Sequence, residues 1–463
     1  MGINAEEAFS VELDMLGQQP MLNMYTPLCF FYGAPRPEAS DLHNILKKGL
    51  QRLTDAFPWV AGQVVEDGPG CGFNRIVPRP FHPTPELVVL DQYHKLPSFE
   101  TLAKKNFPFE LIDEKLLCAR ESIIGQQESV STDLPVLAIQ LSHIEGGVIL
   151  GFVTHHATCD MTGMGSILSL FNKACHNEPF TNSDLKIGNR RLDSPIQLLE
   201  EEIKVKGNPR LEMQVAPESD ENHVPPAHLP AHLQPPRPCT WKYFSFSSSS
   251  LAELKAKAME GLPEGIPAFV STDDALTALI WQCVTRARGQ HSESEECGSI
   301  CARAIDVRPF LGLPSNYLGM MQNETYTKAS PRELKNLSLG ALASKLRQDL
   351  IAEDLKRDTQ ALITLMTHDS DKRKYFLACG VDWTRDTMIS SWSKVDGYNM
   401  DFGLGVKPTC VKRPRFNPIP GLVFMMPKRG DGEISVAISL HDKDMDNLND
   451  PEGEWRKYAT YVG

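Results

Sequence analysis

Two adjacent histidines followed closely by an aspartate, His155, His156 and Asp160, form the strongest chemical grouping in this sequence. An imidazole with a pKa of about 6.5 is mostly neutral at pH 7 and can accept the proton of an attacking hydroxyl. His156 and Asp160 have the spacing His-x-x-x-Asp. Only one ring nitrogen can face a substrate, so the other should be held by a hydrogen bond that sets the tautomer. Asp160 resembles a triad carboxylate, yet it stands at a helix start and is equally suited to pointing away from the imidazole. Cys159, in the same loop, offers a thiol nucleophile; the plainer reading is a small side chain that fills space.

Position comes from the flanking elements. Val148, Ile149, Leu150, Phe152 and Val153 make an apolar run of strand length, ending at Thr154 just before the histidines. Residues 157–160 are small and polar, and Met164, Ile167, Leu168, Phe171 and Ala174 then recur at helical spacing. A second apolar run, 136–143, precedes the first across Glu145-Gly146-Gly147, a compact hairpin signal. A strand, tight loop and helix of this kind place an imidazole at a crevice mouth, where ligands bind in α/β folds.

A chain of 463 residues is too long for one ordinary core, so two domains are expected. With 41% hydrophobic and 23% charged residues it reads as a soluble globular protein. A net charge of −12 argues against nucleic acid as a partner. No apolar run long enough for a membrane span occurs. The acidic start lacks the pattern of a signal peptide, and Glu6 stands where a myristoylation motif wants Ser or Thr. The 11 cysteines, scattered without a CxxC pair, read as reduced thiols of a cytoplasmic protein. No metal site is expected; His223, His228 and His232 are loosely metal-like in spacing but lie in a proline-rich stretch unable to preset a coordination shell.

That stretch, 216–238, is the expected linker. Before it, 25–33 suits a strand, and Leu42, Ile45, Leu46, Leu50 and Leu53 suit a helix stopped near Pro58. After it come a strand at 241–246, a helix at 247–259 whose serines can cap it, and an N-cap cluster at Ser271-Thr272-Asp273-Asp274 opening another helix. Between Asp401 and Gly430, Lys407, Lys412, Arg413, Arg415, Lys428 and Arg429 face one acid, Asp401, a local net of +5 that suits an anionic ligand.

Residues 155–160, HHATCD, resemble the HHxxxD motif of the BAHD acyl-CoA-dependent acyltransferases. Asp401, Phe402, Gly403, Leu404 and Gly405 resemble that family's DFGWG motif, with Leu404 in place of its Trp. Cys301 to Arg308 with the PSNYLG loop resembles its DxR strand, and MISSW stands nine residues before Asp401, as in the family. The segments AFPWVAGQV, STDDALTALIW and SSWSKVDGYNMDFGLG are most similar to fungal trichothecene 3-O-acetyltransferases.

The resemblance implies a mixed α/β fold of two chloramphenicol-acetyltransferase-like domains. They are expected over 1–215 plus about 367–400, and over 239–366 plus about 401–463. Between them a tunnel admits coenzyme A and acceptor from opposite sides. It implies acetyl-CoA as co-substrate, with no permanently bound cofactor, and a trichothecene-like sesquiterpenoid alcohol, acetylated at its 3-hydroxyl, as partner of a monomeric enzyme. His156 is the expected base in a ternary complex, and no G-x-S-x-G elbow suggests a serine hydrolase instead. The Trp392 indole N–H and the Ser390 hydroxyl are the implied oxyanion donors. Asp160 is implied to pair structurally with Arg308, and Asp401 to shape a loop in which Gly403 and Gly405 allow close backbone approach. Ser271, Thr272 and Lys407 are the expected coenzyme A contacts. Competing readings are an acyltransferase for another fungal metabolite, with a different acyl-CoA or an amine acceptor, and a catalytically silent relative that only binds.

Overall fold

A computed structural model describes residues 10–33, 39–66, 72–124, 133–190, 196–216, 238–262, 269–289 and 298–463. Strands of the first half are β1 (Val11–Glu12), β2 (Tyr25–Gly33), β3 (Gly62–Glu66), β4 (Asn74–Pro78), β5 (Glu86–Asp91), β6 (Leu137–Ile144) and β7 (Gly147–His155). The second half adds β8 (Cys239–Phe246), β9 (Ser299–Asp306), β10 (Gln322–Ala329) and β11 (Thr387–Ser391). It closes with β12 (Cys410–Lys412), β13 (Leu422–Met425), β14 (Ile434–His441) and β15 (Thr460–Tyr461). The helices that matter below are α1 (Ala39–Ala56), α2 (Met161–Cys175), α3 (Ser248–Glu260), α4 (Thr272–Ala287), α5 (Leu339–Gln348) and α6 (Ala352–His368).

Two main sheets organise these elements, a five-stranded one in the order β12-β2-β7-β6-β5 and a seven-stranded one in the order β10-β9-β11-β13-β14-β8-β15. A small third sheet has the order β1-β4-β3. The apolar run of β7 occupies the centre of the first sheet, antiparallel to both β2 and β6, and every residue from Gly147 to His155 is buried. The hairpin between β6 and β7 turns at Gly146, whose φ of +75° is left-handed and favours glycine. Side chains alternate along a strand, and the seven-stranded sheet uses both faces. Trp241, Ala302, Met388, Leu422 and Phe424 join the core of the first half, whereas Phe244, Cys301, Ile389, Val423 and Val436 pack into a separate core with residues of α3, α4 and α5. Ser390, two residues beyond Met388, therefore faces the first half.

One boundary expectation differs from the strand pairing. Residues 367–400 were expected to return to the first domain, but β11 lies inside the second sheet, parallel to β9 and β13. The strand that crosses back is β12, beyond the DFGLG turn, with Cys410 to Lys412 against Phe31 to Cys29. In the second sheet both edges of β11 are paired, by β9 and β13, and Met388 and Ile389 feed different cores, while β12 pairs the edge that β2 leaves open. The linker at 216–238, except for its two end residues, and its three histidines lie outside the described residues. Among the described residues no helix is long and apolar enough to cross a membrane.

Candidate active site

The histidine loop begins where β7 ends. His155 is the last strand residue, opposite Tyr25, and its backbone carbonyl accepts from both Thr158 N at 2.9 Å and Thr158 Oγ1 at 2.7 Å. That ties the loop into a tight turn. The His156 backbone N–H donates to the Met24 carbonyl at 2.7 Å, so the first residue past the strand is still fixed by β2's approach.

The two imidazoles then diverge. His155 is fully buried, donates through Nε2 to Asn23 Oδ1 at 3.0 Å and meets the Tyr25 ring edge-on. Burial pushes its pKa down to about 3, so it stays neutral and serves packing. His156 is only half-buried, and its Nδ1 lies 3.1 Å from the Cys159 carbonyl oxygen. A carbonyl only accepts, so Nδ1 carries the proton and Nε2 is left with the lone pair. This arrangement makes Nε2 the basic nitrogen. Burial lowers the His156 pKa from its ordinary value; the Cys159 carbonyl and the Asp160 charge oppose the shift, and the Arg413 charge adds to it. Cys159 itself is buried with its thiol pushed up to about 11, which leaves it a space-filling side chain rather than a thiolate at neutral pH.

Asp160 faces away from the imidazole. Its Oδ1 accepts from Gly163 N at 2.8 Å, capping α2, and from Arg308 Nη2 at 3.0 Å. Oδ2 accepts from Arg308 Nη1 at 2.8 Å and Met321 N at 2.7 Å. Four donors thus engage a carboxylate that the sequence alone left between triad and scaffold. Arg308, fully buried, also donates to the Tyr317 and Gly319 carbonyls and to Asp306.

The second motif grips the other end of the same helix. Asp401 Oδ1 lies 2.8 Å from His176 Nε2, just past α2, and accepts from Gly403 N at 3.1 Å; Phe402 N donates to Asn172 Oδ1 at 2.8 Å. Phe402 is fully buried among Phe30, Phe152 and Phe171. Phe402, Gly403 and Gly405 all have left-handed φ, of 48°, 78° and 73°. A 15-residue helix is roughly 20 Å long, so this turn stands at the end of α2 remote from the histidine loop. Leu404 is buried.

Trp392, at the end of β11, donates its indole N–H to Ser390 Oγ at 3.0 Å. The two implied oxyanion donors are therefore in series: the indole proton is spent on Ser390, whose hydroxyl proton is free to reach a substrate. Ser271 caps α4 in a reciprocal box with Asp274, its hydroxyl donating at 2.7 Å, and Thr272 opens the helix. Lys407 is exposed and donates to Asn399 Oδ1 at 2.8 Å.

The +5 segment is not one basic surface. Lys412 and Arg413 are buried, Lys412 donating to the Asn106 carbonyl at 2.7 Å, and Arg415 pairs with Asp113. What counting charges missed is that β12 runs through the seam of the two halves. The signal was available only as two cations beside Cys410 and Val411, in a strand pattern too short to read.

The Transferase family model matches residues 113–454, and a trichothecene 3-O-acetyltransferase-like N-terminal domain matches residues 24–175. The chain belongs to the BAHD-type transferase family. It is an acyl-CoA-dependent O-acetyltransferase of mixed α/β fold with two domains. A trichothecene 3-O-acetyltransferase of Fusarium sporotrichioides is 39% identical over 99% of this chain and 98% of its own length. An O-acetyltransferase of a Cryptosporiopsis species is also 39% identical, over 97% of each chain. The crystal structure of the F. sporotrichioides enzyme with coenzyme A and T-2 superposes with a TM-score of 0.87 at 38% identity, covering 98% of this chain and all of that one.

Proposed function

We propose that this enzyme moves the acetyl group of acetyl-CoA to a hydroxyl of a terpenoid secondary metabolite, with the 3-hydroxyl of a trichothecene as acceptor, by general-base catalysis at His156 in a ternary complex. The observation that carries the mechanism is the Nδ1 contact to the Cys159 carbonyl, which points the lone pair of Nε2 away from the loop. Nε2 takes the acceptor's hydroxyl proton as its oxygen bonds to the thioester carbon. The resulting oxyanion accepts from the Ser390 hydroxyl, itself polarised by Trp392. Collapse breaks the carbon–sulfur bond, and the imidazolium returns its proton to the departing thiolate. Coenzyme A and acceptor enter the seam between the halves from opposite sides. Thr272 and Lys407 are our coenzyme A contacts, whereas Ser271 acts through its helix cap. Nine described cysteines, all free thiols, support a cytoplasmic setting.

The acceptor rests on likeness to the Fusarium enzyme and its complex with T-2. The equal identity to the Cryptosporiopsis O-acetyltransferase supports a second reading, a different fungal alcohol at the same site. Incubation with acetyl-CoA and a trichothecene bearing a free 3-hydroxyl should yield one added acetyl group by mass spectrometry. Thiol release with other terpenoid or polyketide alcohols but none with the trichothecene would keep the reaction and discard this substrate.

A further inference from the structure

Arg413 follows the short strand that crosses from one sheet to the other, and its side chain is 2% exposed. Among the described residues no carboxylate lies in direct contact with it: Nη2 donates to Ser122 Oγ at 2.8 Å, and Nε has no hydrogen-bond partner. The guanidinium lies instead against three aromatic rings, with centroids 4.0 Å away at Phe416, 4.9 Å at Phe424 and 5.7 Å at Trp392. Trp392 packs in turn on Phe424 at 4.9 Å while donating to Ser390. Ser122 is clamped by a buried acid, its backbone N–H and hydroxyl donating to Glu114 Oε2 at 3.0 and 2.5 Å. The Glu114 backbone N–H donates to the Arg415 carbonyl, closing the loop onto the chain that carries Arg413.

We propose that Arg413 is a positioning residue of the acetyl transfer, its guanidinium lying over the Phe416, Phe424 and Trp392 rings and so holding the Trp392 indole on Ser390. The inference rests on the reading of Ser390 as the oxyanion donor. The role needs a planar cation that stacks on aromatic faces. Around Arg413 stand Glu114, Tyr243, Cys118 and Cys29, and burial pushes the guanidinium down to about 10 and the Glu114 carboxyl up to about 7.

Arg413→Met removes the stacked plane, and kcat should fall roughly 10-fold or more as the indole loses its support, with KM for acetyl-CoA within about two-fold of wild type. Arg413→Lys keeps the buried charge and a folded seam but not the plane, and its kcat should remain well below wild type. A kcat within about two-fold of wild type for Arg413→Met, or full kcat for Arg413→Lys if the methionine variant does not fold, would overturn the assignment. Ser390→Ala, run in parallel, tells the failures apart. Activity retained there removes the oxyanion donor itself, whereas an impaired Ser390→Ala beside an unaffected Arg413 series removes Arg413 alone.

Discussion

At the scale of single residues, the two neighbouring histidines are divided by which ring nitrogen is tethered and by how much water each meets. His156 holds its proton on Nδ1 against a carbonyl, and His156→Ala should lower kcat by roughly 10²- to 10⁴-fold with little change in Tm. A variant keeping more than about a third of wild-type kcat contradicts the role. Burial depresses the His156 pKa, so the base stays unprotonated to lower pH than a free imidazole. The acid limb of kcat/KM should accordingly lie below the ordinary value of about 6.5, and a limb above it counts against the assignment. His155 bears on stability instead. Its folded value of about 3 lies below the unfolded value of about 6.5, so the unfolded chain binds the extra proton. The contribution is fully present above pH 6.5 and is lost as pH falls towards 3, amounting to about 2 kcal/mol between pH 7 and pH 5. Urea unfolding at those two pH values should show this slope in the wild type and a flatter one in His155→Gln.

At the scale of elements, α2 is held at both ends by the two motifs that stand far apart in sequence. Asp160 caps its start, and the DFGLG turn seizes Asn172 and His176 at its finish. The turn needs glycine at 403 for two reasons: φ is +78°, and an added Cβ would lie 2.8 Å from Ile45 Cγ2 on α1. Gly403→Ala should therefore cost about 1 to 3 kcal/mol, read as a lowered Tm, with kcat of the folded fraction close to wild type. Unchanged Tm with collapsed kcat would mean the turn takes part in the chemistry. Periodicity made these helices and strands legible: 25–33 is β2 to the residue, α4 is capped from the cluster that Ser271 opens, and α3 from its serine run, the structure choosing Ser247. The lengths of β11 and β12, five and three residues, carry no period by which to assign them to a sheet.

At the scale of the whole molecule, the ion pair of Asp160 and Arg308 ties the histidine loop of the first half to the end of β9 in the second. Both side chains are buried; the aspartate also satisfies Met321 N across the seam, and the arginine the Tyr317 and Gly319 carbonyls of its own half. Asp160→Asn or Arg308→Ala should each cost about 3 to 5 kcal/mol, because one charge is left buried without its partner. Combining Asp160→Asn with Arg308→Met should recover part of that loss in a thermal or denaturant titration. Single variants of wild-type stability but no activity would instead place Asp160 in the catalytic machinery.

The sequence by itself singled out the proposed base, the strand that delivers it and the family. These depend on residue type and short-range spacing: an imidazole at a strand end, a period of two turning to 3.6, and two motifs in order. It also carried the Asp160–Arg308 pairing, but only through family likeness, since nothing local relates residues 148 positions apart. Tertiary structure decided the rest. It put Trp392 and Ser390 in series rather than side by side, sent β12 rather than β11 back to the first sheet, and withdrew Lys412 and Arg413 from a presumed basic surface into the seam. Each of these turns on which groups from distant segments share a buried space, and burial is a property of the packed chain: it sets which donors are used up, which charges are felt and which strand faces are covered.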